Sequence, residues 1–234
     1  MPRVKVERFS GREYHQYSSD ELLKLSEIRE KAQRILDLFY KNQIYAFVHG
    51  SVARGDITAS SDIDIHIPSI IPSFRLEILE ELLIKDRRII MGTPNSIIKG
   101  LLILDEDISI TFPLINPDER DIEFYKFSGL LTNVELKNNQ RVIGVSKKLL
   151  LIEPDVDGYW QSSIIGNIPD VMNKLSISQR IVEERIRVLS RRDQIGRTGV
   201  LINYSLTSDE NFEQACKTLA DKNPIVRRRY QKSN

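Results

Sequence analysis

Residues His49 to Ile67 read HGSVARGDITASSDIDIHI. Ile44 to His49 (IYAFVH) reads as a short buried strand, and Gly50-Ser51 breaks it. Polar sequence from Asp56 to Ser61 forms a loop, after which Asp62 to Ile67 alternates strictly and Pro68 closes the run. A two-residue period places Asp62, Asp64 and His66 on one face of a strand and three isoleucines on the other. A glycine directly after a strand lets backbone amides approach a phosphate, and Ser51 adds a hydroxyl donor. Gly55 permits a tight return, while Arg54 either offers a positive charge to the phosphate or pairs with Asp56. Two carboxylates side by side suit a hard divalent cation such as magnesium, which takes few carboxylates, several waters and triphosphate oxygens.

Outward from this stretch, Ser18-Ser19-Asp20 offers a helix cap. Leu22, Leu25, Ile28, Ala32, Ile35 and Phe39 then follow at steps of three and four, predicting an amphipathic helix of about five turns. Phe74 to Ile84 is expected to be helical, and Leu101 to Leu104 and Asp107 to Phe112 to be strands. Ile122 to Phe127, Arg141 to Val145 and Leu149 to Ile152 are weaker strand candidates. Pro154, two aspartates and Gly158 cluster near Glu153 to Asp157, predicting a boundary between a domain over 1–155 and a smaller, mainly helical one over 156–234. Ile168 to Arg192 and Thr207 to Ala220 carry the helical patterns there, the second opened by Ser208-Asp209-Glu210.

The nineteen quoted residues resemble the signature of the DNA polymerase β-type nucleotidyltransferase superfamily. Gly50-Ser51-Val52-Ala53-Arg54-Gly55, then Ser61-Asp62-Ile63-Asp64, is most similar to its minimal nucleotidyltransferase branch and to archaeal predicted nucleotidyltransferases. The resemblance implies an α/β (α+β) fold with a mixed β-sheet flanked by helices, and nucleotidyl transfer (EC 2.7.7-type) from a nucleoside triphosphate, ATP being expected, to a hydroxyl. It further implies magnesium or manganese held by Asp62, Asp64 and a third carboxylate, with Gly50, Ser51 and Arg54 binding the nucleotide. Asp107 fits the third position because Asp107, Ser109 and Thr111 share a face, and Asp105 is the alternative. The family places an apolar residue before this aspartate, where the chain has Glu106. A competing reading is a nucleotide- or nucleic-acid-binding module without turnover, or an antitoxin-like protein working beside a helical partner.

Composition narrows the remaining classes. One cysteine, Cys216, excludes an internal disulfide and a thiolate metal cluster, and its place in an amphipathic stretch predicts a buried structural thiol. No run approaches the roughly 20 apolar residues of a membrane span, and the N-terminus has no signal-peptide core, so a soluble cytoplasmic protein is expected. A charged fraction of 29%, with abundant Ile, Arg and Glu, leans towards a heat-adapted source. GxxxxGK[ST], GxGxxG after a strand, HExxH, CxxC and GxSxG are all absent.

From Val171 to Asn234 thirteen Lys and Arg face seven Asp and Glu, an excess of six, so the net +1 of the chain leaves the remainder at −5. Arg180, Arg185, Arg187, Arg191, Arg192 and Arg197, with the triple arginine Arg227 to Arg229, suit either a nucleic-acid backbone or a solvated helix. His66 shares the carboxylates' face, as a substrate contact, a base or a structural residue, and His49 is expected to pack.

Overall fold

The computed structural model describes residues 6–8, 11–105, 107–196 and 199–232. Strand β1 (Glu13–Gln16) leads into the long helix α1 (Ser19–Lys41), then β2 (Phe47–His49), the single turn α2 (Ser51–Arg54), β3 (Ile63–His66) and α3 (Phe74–Glu77). Strands β4 (Asp86–Met91), β5 (Lys99–Asp105) and β6 (Ile108–Pro113) follow, then α4 (Glu119–Ser128), β7 (Leu130–Thr132) and α5 (Asn133–Lys137). The rest comprises β8 (Gly144–Val145), β9 (Leu150–Asp155), β10 (Gly158–Ser163), α6 (Ile168–Leu175), α7 (Gln179–Ile195), β11 (Ile202–Ser205), α8 (Phe212–Lys222) and α9 (Pro224–Lys232).

Seven strands form one sheet in the order β11-β4-β5-β6-β3-β2-β7, and four form a second in the order β1-β10-β9-β8. The large sheet is mixed, since β3 and β6 run parallel while its other neighbours are antiparallel. This is the expected architecture of a mixed sheet flanked by helices.

Helix α1 starts as its sequence dictates. The Ser18 hydroxyl accepts from the Glu21 amide at 3.2 Å, and the Glu21 carboxylate returns the bond to the Ser18 amide at 2.8 Å, a reciprocal cap worth about 1 kcal/mol. Its buried residues Ala32, Leu36 and Phe39 pack in one core with the isoleucines of β3, and α8 covers the same side of the sheet further along. There Phe112 and Phe212 meet edge to face at 5.0 Å. Cys216 is buried in this core, and burial pushes its thiol up to about 12, as a structural thiol requires.

A second core joins the small sheet (Val145, Leu149, Leu151) to α6 and α7 through Val171, Ile181, Val182 and Leu189, with Phe127 of α4 added from above. Glu153 to Asp157, read from sequence as a boundary, lie in β9 and its turn into β10. Beyond them the chain first completes the second core and then returns to the large sheet with β11, α8 and α9.

Three local expectations are corrected. Phe74 to Ile84 is not one helix but two short turns, α3 and a 3₁₀ turn at Glu80–Leu82. Its buried leucines, Leu76, Leu79 and Leu82, recur at steps of three, which suits tight turns, and Leu83 ends the run in the left-handed region. Ile122 to Phe127 is helix α4 rather than a strand, because Asp118 and Asp121 form a capping box just upstream. Helix α8 opens at Phe212, capped by Asn211, later than expected, since Glu210 is drawn into a turn that accepts from the Thr207 amide and the Tyr204 hydroxyl.

Gly100 lies where β5 crosses under the Phe112 ring, and a Cβ there would come within 2.3 Å of it. Gly100→Ala should therefore lower stability by about 1–3 kcal/mol, the usual cost of overpacking, read as a shifted urea midpoint. An unchanged midpoint would mean that Phe112 repacks freely.

Candidate active site

The side of the large sheet turned away from α1 and α8 carries the polar residues of β3. On β3 the isoleucines Ile63 and Ile65 are fully buried, which turns Asp64 and His66 outward on the opposite side. Antiparallel β2 sets His49 opposite Asp64 and Phe47 opposite His66, while parallel β6 sets Ser109 beside Asp64 and Thr111 beside His66. Extending that register by one step on this face brings Asp62 and Asp107 alongside, and the Ile63 amide donates to the Asp107 carbonyl at 2.7 Å. Asp62 and Asp64 thus lie next to the Gly50-Ser51 turn that leaves β2, and the backbone of Asp107 adjoins the start of β3. Half-buried Leu101 and Ile103 of β5 continue the floor.

Each carboxylate has a distinct setting. Asp64 accepts from the Ser109 hydroxyl at 3.0 Å through Oδ1, which orients it and leaves Oδ2 with no hydrogen bond among the described residues. Asp107 sits just before β6, half-exposed, with Lys31 of α1 at 3.8 Å. Asp105, the alternative third carboxylate, lies at the bulge on β5 and contacts Lys85 at 2.6 Å. Asp107 is therefore the one adjoining β3; Glu106 lies outside the described residues. Among the described residues no group of three or more His, Cys, Asp or Glu converges as a complete metal cage. The donor set, hard oxygens of two or three aspartates with an open oxygen on Asp64, fits a cation that takes its remaining ligands from water and phosphate.

The turn works differently from the sequence expectation. Gly50 adopts φ +79°, a backbone that favours glycine, yet its amide already donates to the Gly129 carbonyl at 3.1 Å. The first amides of α2 have no carbonyl within that four-residue helix to bond. The Ser51 hydroxyl lies 3.2 Å from that of Ser61, tying the turn to the residue before Asp62. Arg54 is buried at 4% exposure, donating to the Ser128 carbonyl at 2.6 Å and to Asp56 at 2.9 Å. It holds the loop together, with the pairing to Asp56 that the sequence offered. Gly55 does make the tight return, with φ +99° and Tyr17 packed so close that a Cβ would meet its hydroxyl at 2.4 Å.

Both histidines pack. His66 stacks on Tyr125 of α4 at 3.9 Å and shares a 2.8 Å hydrogen bond with Thr111; burial drives its pKa down to about 2. His49 meets Tyr125 edge to face at 5.0 Å, and burial lowers its pKa to about 4 against an opposing pull from Asp64. Lys99 reaches the Tyr125 hydroxyl at 3.2 Å, and its charge further disfavours protonation of both rings. Tyr125, Lys99 and Lys31 carry no motif, and only the tertiary fold brings them here.

The family model described as a nucleotidyltransferase domain matches residues 25–189, more than half of the chain. The chain belongs to the nucleotidyltransferase-domain family, within the polymerase β-type superfamily. The match takes in every carboxylate of this site and both strands that pair with β3. No curated protein and no solved structure matches the chain. Among the described residues no helix is long and apolar enough to cross a membrane. Nucleotidyl transfer is the general function that this membership supports.

The basic C-terminal stretch divides in this member of the family. Arg229 is buried and bonds Asp118 and Asp121, Arg227 donates to the Ala220 and Asp221 carbonyls, and Arg185 lies over the Phe124 ring. These three build the fold instead of facing a ligand. Arg197 lies outside the described residues.

The neutral histidines set a pH dependence. Their folded pKa values lie below the ordinary 6.5, so their contribution is complete above pH 6.5 and is lost as pH falls and the unfolded chain takes up protons. Between pH 6.5 and about 5, above the ordinary carboxylate range, each should cost about 1.4 kcal/mol per pH unit. Urea unfolding of His66→Phe should show a shallower fall by about that amount per unit. An equal slope in the variant would mean that His66 is protonated in the fold.

Proposed function

We propose that this chain is an active, metal-dependent nucleotidyltransferase that moves a nucleoside monophosphate from a nucleoside triphosphate, with ATP the expected donor, to a hydroxyl acceptor. The observation that supports the reading is the register of β3 between β2 and β6, which sets Asp64 against His49 and Ser109 beside the Gly50-Ser51 turn, with Asp62 two residues before Asp64. Asp62 and Asp64, joined by Asp107, would hold magnesium or manganese in a two-metal arrangement. A cation held there supplies charge that acidifies the acceptor hydroxyl and neutralises the departing pyrophosphate.

The residues of the chain do the positioning. Ser51 and the first-turn amides of α2 orient the terminal phosphates, leaving the α-phosphorus open on the side away from the pyrophosphate. The acceptor oxygen bonds to that phosphorus as the bond to the bridging oxygen breaks. Its proton goes to a carboxylate of the site or to water, because both imidazoles are packed against Tyr125 and not turned to the acceptor. Ser109 keeps Asp64 in a fixed rotamer, and Lys31 offsets the charge that Asp107 would otherwise place beside Asp62.

A second reading, a binding module without turnover, draws on that same contact, since Asp107 paired with Lys31 is not free for a cation. Kinetics separate the two. Asp62→Ala and Asp64→Ala should each reduce transfer of a labelled nucleotide at least about a thousandfold, as loss of a principal electrostatic group does. Their circular dichroism and urea midpoints should stay at or above the parent values, since each removes a charge from a like-charged group. Turnover near normal in either variant would sink the metal assignment.

A further inference from the structure

At the far end of α4 from the carboxylates, a cleft of about 630 Å³ opens between the first turns of α4 and α7 and the last turns of α9. Of its three acidic lining residues two are already engaged, and the third, Glu119, is exposed against three cations that are not. Asp118 pairs with Arg229, and Glu123 accepts from the amide and hydroxyl of Ser178. Just beside it, Glu184 pairs with Arg120. Three cations of the lining are not engaged: Arg180, Arg228 and Lys232 are exposed and have no hydrogen bond or ion pair among the described residues.

From Arg180 the positive charge runs on along α7. Arg187 and Arg191, also exposed and unpaired, follow at seven and four residues, so the three arginines lie within about 40° of one another around the helix and span roughly 16 Å. Glu183 and Gln194 flank this line on one side and exposed Ile195 ends it on the other, a lone apolar side chain and too little to enter a bilayer. A linear row of guanidinium groups running into a cleft suits a chain of phosphodiesters. Helix α4 relates the cleft to the catalytic end. Its first turn lines the cleft, and its last residue, Ser128, lies 3.4 Å from His49, the neighbour of Asp64, over a helix about 15 Å long.

We infer that the α7 row of Arg180, Arg187 and Arg191, with Arg228 and Lys232 of α9, is a docking track for a nucleic-acid strand whose terminal hydroxyl is the acceptor. The acceptor role rests on the transferase reading; the docking does not.

The test is fluorescence anisotropy with labelled single strands of about 20 nucleotides, RNA and DNA, titrated with salt. Three proteins are compared: the parent, a five-site variant (R180Q, R187Q, R191Q, R228Q, K232Q) and a control with equal charge loss elsewhere (K24Q, R34Q, K41Q, K217Q, K222Q). If all five cations touch phosphates, their counterion release alone makes parent affinity fall about a hundredfold between about 50 and about 200 mM salt. The five-site variant should flatten the logarithmic slope by up to about 3.5, the control by less than about 1. All ten side chains are exposed, so the folds should persist, checked by circular dichroism.

A parent that binds neither strand at low salt, a control that flattens the slope as much as the five-site variant, or binding of phosphatidylserine vesicles without binding of strands would each overturn the inference. Calorimetry with magnesium and a non-hydrolysable triphosphate keeps the two readings apart, because the five-site variant should bind it like the parent. Strand binding without triphosphate binding would contradict the transferase reading and leave the docking track supported.

Discussion

Strand β3 is four residues long and has a neighbour on each side, antiparallel β2 and parallel β6, so its register is fixed twice over. The isoleucines on its inner side are 0–1% exposed, at Ile63, Ile65 and Ile67. Burying each such side chain contributes roughly 1.5–3 kcal/mol. A slip of one residue would expose all three and bury Asp62, Asp64 and His66 in an apolar layer, a loss far beyond the margin by which a domain is stable. The same apolar burial that stabilises the sheet therefore presents the carboxylates. Ser109 arrives beside Asp64 because β6 is parallel to β3 and its side chains alternate in step.

The second core acts on this site through α4. One face of that helix gives Phe127 to the small-sheet core, while Tyr125 stacks on His66 over the large sheet. Its end delivers Gly129, whose carbonyl takes the Gly50 amide, and Ser128, whose carbonyl takes Arg54. The loop before β8 adds Arg141, whose guanidinium ties the Tyr17 hydroxyl, which packs beside Gly55, to the Gly158 carbonyl. The loop between the turn and the carboxylates is thus held from both sides by residues distant in sequence. Preorganisation of this kind is what a site relying on position and charge requires.

What the sequence revealed was local. The α1 cap, the break at Gly50 and the alternation of Asp62 to Ile67 are each decided within a few residues, and all appear in the fold. Gaps and misreadings came where distant partners decide. Arg54 is neutralised within its own loop, but its other bond is to Ser128, 74 residues away. The triple arginine looks like one patch, yet helical geometry turns Arg229 inward to Asp118 and Asp121, more than a hundred residues earlier, and leaves Arg228 facing out. Ile122 to Phe127 resembled a short apolar strand because its helical character lies upstream, in the Asp118 and Asp121 cap. The small sheet pairs β1 with β10 across some 145 residues, a contact that no local pattern encodes.

The central claim, that Asp62 and Asp64 hold a divalent cation together with a nucleoside triphosphate, is tested most directly by electron paramagnetic resonance of manganese. Free manganese gives a sharp signal that broadens and weakens when the ion is immobilised. With a non-hydrolysable triphosphate present, the parent protein should remove more of this signal than the triphosphate does alone, and Asp62→Asn with Asp64→Asn should abolish that excess. Equal loss of signal in parent and double variant would place the cation elsewhere and contradict the account.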